Sequence, residues 1–304
     1  ILEADVMSLV INTNVASLNA QRSLASSGTE LKTAMERLSS GKQINSAADD
    51  AAGFAIAERM TAQIRGLNMA TNNANDGLSM IATVENATND VTDMLHRIRE
   101  LAVQAANDTN SSTDRGYLQK EVDSLLNEIN RVAAQTVYNG EEVLDGTRSA
   151  QQIQVGTDSG QSISFSIAAV DTDTLSLTAD SFTAGSPATV ADVSAKTPDA
   201  NGTLAAGEKI SVSTAAAAAS TLTAVTAAIE KVAGDRAGLG AVSNRLEYTV
   251  SNLMNVAEYT TAARSRIEDA DFAAESARLA KAQVLQQTGT AMLAQANASQ
   301  QLAL

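Results

Sequence analysis

A chain of 304 residues with 35 acidic and 21 basic side chains carries a net charge of −14. That balance excludes the basic face of a nucleic-acid binder and any attraction to an anionic membrane surface. Aromatic residues reach only 3% and tryptophan and cysteine are absent, which favours slender aliphatic helix packing and excludes disulfides, thiolate catalysis and cysteine-held metal.

The opening residues, Ile1-Leu2-Glu3-Ala4-Asp5-Val6-Met7, lack the basic start and sustained apolar run of a secretory signal. No window reaches the roughly 18 apolar residues of a membrane span. Export, if it occurs, is expected to use a route that reads no cleaved signal peptide.

The only prolines, Pro187 and Pro198, fall in the middle of the chain. A proline inside a helix costs about 3 kcal/mol, so both flanks are free to form long helices. In the first flank Leu24, Leu31 and Leu38 recur every seven residues, with Ile11 and Leu18 in a neighbouring column and Met35 at the half-turn. This spacing predicts a helix packed along another helix. Gly41 is the expected stop. Ser46 is the expected N-cap of the next helix, with Asp49 and Asp50 favourable near its positive end.

From Asp49 to about Asn107 the steps Leu78, Ile81, Val84, Ala87, Val91, Leu95, Ile98, Leu101 and Ala105 predict one helix about 90 Å long. Gly53, Gly66 and Gly77 each cost about 1 kcal/mol within it. After a Ser/Thr/Asn loop over 107–113, Leu118, Val122, Leu125, Ile129 and Val132 mark a further helix that ends before the turn signal Asn139-Gly140. The period then drops to two at Ile153 and Val155, and again at Ile163, Phe165 and Ile167, as in a β-hairpin. Residues 171–214, rich in Ala, Ser, Thr, Asp and Gly, read as an exposed insertion with little core of their own.

Helical pattern returns with Leu222, Val225, Ile229 and Val232 and runs through Leu239, Val242, Leu246, Leu253 and Val256 to Ile267. The last arm carries Phe272, Leu279, Leu285, Met292 and Leu293, and its final 23 residues, Ala282–Leu304, hold no charge. Such a helix is marginal in water without partners. Packing within its own chain is one way to supply them, and association between chains is the other.

Several blocks resemble one family. Ser8–Asn14 (SLVINTN) with Ser17–Gln21, Leu38–Leu67 (LSSGKQINSAADDAAGFAIAERMTAQIRGL), Leu95–Ala106 (LHRIRELAVQAA) and Ser265–Glu275 (SRIEDADFAAE) are similar to the corresponding parts of bacterial flagellins. The likeness covers roughly residues 7–170 and 215–304. It implies a mainly α fold in which long terminal arms pair as a coiled coil in the filament core (7–46 and 261–304). An elongated helical bundle with a β-hairpin region follows (47–170 and 215–260), and a small variable insertion at the surface (171–214).

The resemblance also implies a structural subunit that self-assembles into the flagellar filament for swimming. It implies export without cleavage through the flagellar type III apparatus. Expected partners are other copies of the chain, an export chaperone on the C-terminal arm, the filament cap and the hook-junction proteins. Met7 stands where such chains begin, so Ile1–Val6 precede the expected start, and a few residues are expected beyond Leu304.

The candidate self-assembly residues are Ile11, Leu18, Leu24, Leu31, Leu38, Phe272, Leu279, Leu285, Met292 and Leu293. By its motif the family places protofilament contact, and recognition by the flagellin-sensing Toll-like receptor of hosts, at Arg97, Leu101 and Glu121. Read from the residues alone, Arg97-Ile98-Arg99-Glu100 is a solvated face with local ion pairs.

His96 is the single histidine, so neither a zinc motif nor a Ser-His-Asp set can be built, and no enzyme activity or cofactor is expected. The triplets at Asn86, Asn107, Asn110, Asn201 and Asn297 are expected by chance in an Asn- and Thr-rich chain. Ser and Thr within 171–214 are the better candidates for O-linked sugars. Two other readings share parts of the pattern: a hook–filament junction protein, and a cell-surface homologue that binds glycan through its middle segment.

Overall fold

A computed structural model describes residues 14–148, 150–177 and 210–301. Five helices and two short hairpins follow in order: α1 Val15–Ser40, α2 Ala51–Ala105, α3 Ser112–Gln135, β1 Val137–Tyr138, β2 Glu141–Glu142, β3 Gln151–Gln154, β4 Ser162–Phe165, α4 Ala215–Glu268 and α5 Phe272–Gln301. The chain divides into two compact units, one holding residues up to Arg65 and from Ala257 onward, the other Gly66–Val256. The divisions expected at 46/47 and 260/261 therefore shift, because the first turns of α2 and the last turns of α4 belong with the arms.

In the arm unit, the Asn14 side chain caps α1 by accepting from Ser17 N at 2.9 Å. Gly41 ends the helix as expected, with φ of 71° and its N–H donating to Arg37 O. A left-handed residue at this position suits glycine because it has no Cβ to collide. Two backbone hydrogen bonds then tie the linkers together: Gln43 N donates to Glu268 O (2.7 Å) and Ala270 N to Gly41 O (2.9 Å). Lys42 reinforces them with an ion pair to Glu268 at 2.5 Å.

The cap expected at Ser46 lies instead at Asp50. Asp50 Oδ1 accepts from Ala52 N and Gly53 N, both at 3.0 Å. Ser46 closes a preceding turn, in which the Asp49 carboxylate accepts from Asn45 N, Ser46 N and the Ser46 hydroxyl. The backbone donors of Ser46 and Asn45 hold the Asp49 carboxyl below its ordinary pKa.

The second unit is built on α2, whose stripe Ile81, Val84, Val91, Leu95, Ile98 and Leu101 is nearly fully buried. Helix α2 is continuous through its glycines. A Cβ at Gly77 would collide with Ile153 Cδ1, and one at Gly66 would come 2.7 Å from Thr157 Cγ2, so both glycines open room for the β3–β4 hairpin. That hairpin is antiparallel with Ile153 opposite Ile163, and Ile153, Ile163 and Phe165 face the core.

On α3 the buried face is Val122, Leu126, Ile129 and Ala133, with Leu118, Leu125 and Val132 at its margin. The stripe is rotated by one residue from the expected one. Ser111 and Asp114 form a reciprocal capping box at its start. Arg115 reaches back to accept-only groups at the end of α2, donating to Ala105 O (2.8 Å) and Asn107 O (3.0 Å). Asn139 and Gly140, with φ of 53° and 81°, form the two-residue turn of the β1–β2 hairpin, as a primed turn requires.

The insertion expected over 171–214 is narrower than its composition suggested. Leu175, Leu177, Ile210 and Val212 are buried in the core of this unit. Ile210 N donates to Leu177 O at 3.0 Å, so the two flanks meet. Thr172 is held by Asn130 and Val212 N by Gln119. Polar side chains on α3 thus carry flanks whose own apolar residues are few. Residues 178–209, with the sugar candidates they contain, lie outside the described residues.

Candidate self-assembly interface

The first link is the seven-residue spacing of α1, which the structure places against α5. The helices run antiparallel. Asn14 Nδ2 donates to Ala296 O (3.0 Å) and the Ser17 hydroxyl to Asn297 Oδ1 (3.1 Å) at one end, while Arg37 approaches Glu275 (3.9 Å) at the other. Covered positions on α1 are Ser17, Ala20, Leu24, Ser27, Leu31, Ala34 and Leu38, and on α5 Glu275, Leu279, Ala282, Gly289, Leu293 and Ala296. Both sets step by alternating threes and fours or their sums, as the core positions of a coiled coil do.

The seam matches large to small. A Cβ on Gly289 would lie 3.2 Å from Leu24 Cδ1, so leucine on one arm occupies the space that glycine leaves on the other. Continuing that antiparallel register sets Leu31 opposite Ala282 and Ala34 opposite Leu279. The packing closes two helices onto each other but leaves no spare width to cover their outer faces.

Those outer faces hold the remaining large apolar side chains. Val15, Leu18 and Met35 on α1 are exposed, as are Phe272, Val284, Leu285 and Met292 on α5. The ten residues expected to form one core therefore separate. Leu24, Leu31, Leu38, Leu279 and Leu293 lie half-buried on the seam within the chain. Leu18, Phe272, Leu285 and Met292 face outward, Met292 being 64% exposed. Met35, expected at the half-turn of the seam, also faces outward, because Ala34 occupies that place. Ile11 lies outside the described residues. Val15 and Val284, which apolar spacing did not single out, join the outward set.

Near the base of the seam Glu275 is buried, 5% exposed, between Arg37 and Arg278, the latter at 3.2 Å. A buried carboxylate needs such partners, since desolvation would otherwise outweigh its contribution.

In the other unit Arg97 and Glu121 are brought together across α2 and α3. Arg97 Nη2 lies 2.8 Å and Nε 2.9 Å from Glu121 Oε1, and Arg97 Nη1 lies 3.0 Å from Glu100. These bonds, Glu121 foremost, raise the Arg97 pKa further above its ordinary value. Leu101 does not join them. At 1% exposure it belongs to the core of the bundle, one helical turn from Arg97 but pointing inward, which corrects its assignment as a contact residue. Among the described residues no cluster of His, Cys, Asp and Glu could hold a metal ion, and no helix is long and apolar enough to cross a membrane.

The paired terminal helices and the long helices of the bundle coincide with two family signatures. The bacterial flagellin N-terminal helical region matches residues 11–149 and the bacterial flagellin C-terminal helical region matches residues 222–304. This chain belongs to the bacterial flagellin family. It is 39% identical over 296 residues to the flagellin of Halalkalibacterium halodurans, covering 97% of this chain and 98% of that one. Flagellin A of Vibrio cholerae is 35% identical over a 367-residue alignment, with 95% and 97% covered. A crystal structure of Bacillus cereus flagellin is 30% identical over 60% of this chain and 88% of its own, with a TM-score of 0.45. This flagellin is thus a structural, extracellular subunit of the flagellar filament, and the comparisons lend nothing to the junction-protein or glycan-binding readings.

Proposed function

We propose that this flagellin polymerises through the apolar side chains its paired arms leave uncovered: Val15, Leu18, Met35, Phe272, Val284, Leu285 and Met292. The observation that carries this is the exposure of these side chains on helices whose inward faces are already filled. Each such side chain gains about 1.5–3 kcal/mol when fully buried. A polar substitution at one position should then raise the concentration needed for polymerisation about tenfold to a hundredfold. Leu18→Asn and Leu285→Asn test this in purified full-length protein, with sedimentation as the readout. Polymerisation of both at the wild-type concentration would refute it.

The same outward face of α5 is the surface an export chaperone would cover before assembly, during passage through the type III apparatus without a cleaved signal peptide. Contacts with the filament cap and hook-junction proteins are assigned to the arms on the same ground. Host recognition by the flagellin-sensing Toll-like receptor is assigned to the exposed Arg97–Glu121 pair, with Leu101 removed from the contact set. Arg97→Glu would set two like charges beside each other and should abolish activation of receptor-expressing cells. Unchanged activation by that variant would move the site elsewhere.

A further inference from the structure

The chain has eight methionines, and their exposures separate them. Met80 is buried at 7%, and Met60 and Met94 are partly covered. Met35 (57%) and Met292 (64%) are exposed on the arms, and Met69 (58%) and Met254 (59%) on the other unit. Met7 lies outside the described residues. Both arm methionines sit in the outward apolar set, on faces that need a second copy to cover them.

We propose that Met35 and Met292 are modification sites for peroxide-class oxidants, and that their oxidation blocks assembly of the free subunit. The proposal rests on the assembly reading above. In the step, a lone pair of the thioether sulfur attacks one peroxide oxygen. A sulfur–oxygen bond forms, the oxygen–oxygen bond breaks, and the departing oxygen leaves as water. Sulfur loses two electrons and peroxide gains them. The product is a polar, chiral sulfoxide in place of a flexible apolar side chain.

On the free subunit the sulfoxide is solvated and costs the arm fold little, because neither sulfur lies on the α1–α5 seam. In the polymer it would have to shed that water against apolar neighbours, a penalty unless a donor meets it. Accessibility runs the same way: free subunits present both sulfurs, while assembled ones cover them. The arms therefore couple redox exposure before assembly to the capacity to assemble, and methionine sulfoxide reductases can reverse the lesion.

The test treats the full-length free subunit with hydrogen peroxide, quenches it, maps sulfoxides by peptide mass spectrometry and measures sulfate-driven polymerisation by sedimentation. The variant M35L/M292L, with M35L and M292L singly, runs in parallel, since Met→Leu nearly conserves volume. Treated wild type should carry sulfoxide at 35 and 292, keep its helical circular dichroism and lose polymerisation, which the reductases restore. Treated M35L/M292L should still polymerise although Met69 and Met254 are oxidised. Polymerisation of wild type with both arm methionines oxidised would overturn the proposal. So would equal loss in the double variant, or arm sulfurs that resist oxidation in the free subunit. If Leu18→Asn and Leu285→Asn polymerise at the wild-type concentration in the same assay, it is the assembly reading that falls, and the two failures are thus told apart.

Discussion

Gly77 and Gly238 both lie inside long helices, yet a methyl group has opposite consequences at the two. A Cβ at Gly77 runs into Ile153 of the docked hairpin, whereas nothing lies within 4 Å of one at Gly238. Gly238→Ala should stabilise by about 0.5–1 kcal/mol through helix propensity, and Gly77→Ala should destabilise despite the same gain. Thermal unfolding checks this, the midpoint rising for one and falling for the other. At the same scale, Asp114 titrates below its ordinary pKa of 3.8, chiefly because the Ser111 hydroxyl donates to it, and the Ser111 N–H adds to the effect. A carboxyl with a depressed folded pKa contributes stability that is full above its unfolded value. That contribution is lost as pH falls through the folded one. Ser111→Ala should therefore weaken the fold at neutral pH and flatten the stability loss below about pH 4, as urea titrations across that range would read.

At the scale of elements, the long stripe of α2 was legible because Ile81, Val84, Val91, Leu95, Ile98 and Leu101, large apolar residues at steps of three and four or their sum, recur along one buried face. The α1 seam was legible for its leucines alone. The α5 seam was legible only at Leu279 and Leu293, since its other inward positions are Glu275, Ala282, Gly289 and Ala296, and apolar spacing picked out the outward Leu285 and Met292 beside them. Large-to-small pairing hides half of a seam from any pattern that counts leucines. The core made by Leu175, Leu177, Ile210 and Val212 was hidden for a different reason. These residues are diluted among polar neighbours, and their segments are held from far along the chain, by Asn130 accepting from Thr172 and by Gln119 accepting from Val212 N. The hairpins β1–β2 and β3–β4 differ likewise: the second shows alternation over several residues, the first is two residues long on each side. Leu101 tests the element directly. Its position inside the bundle predicts that Leu101→Ala loses about 2–5 kcal/mol of stability, whereas a surface contact residue would lose almost none. Chemical denaturation distinguishes the two.

For the molecule as a whole, a net charge of −14 sets copies against one another, while the uncharged stretch from Ala282 removes local charge around Val284, Leu285 and Met292, three of the outward apolar side chains. Screening shortens from about 10 Å at 0.1 M salt to about 3 Å at 1 M, and sulfate further strengthens apolar burial. The concentration needed to polymerise should thus fall as salt rises, which light scattering across a salt series would follow. Family membership and helical character were readable from the sequence. The division of labour within the arms was not, because it depends on which helix faces each residue and not on residue type. That division is the central claim: seam residues join the arms of one chain, and outward residues join chains. Because the native chain has no cysteine, a single Val284→Cys substitution reports it without interference. Thiol labelling of that variant should be rapid in the free subunit and suppressed in the polymer; equal labelling in both states would contradict the account.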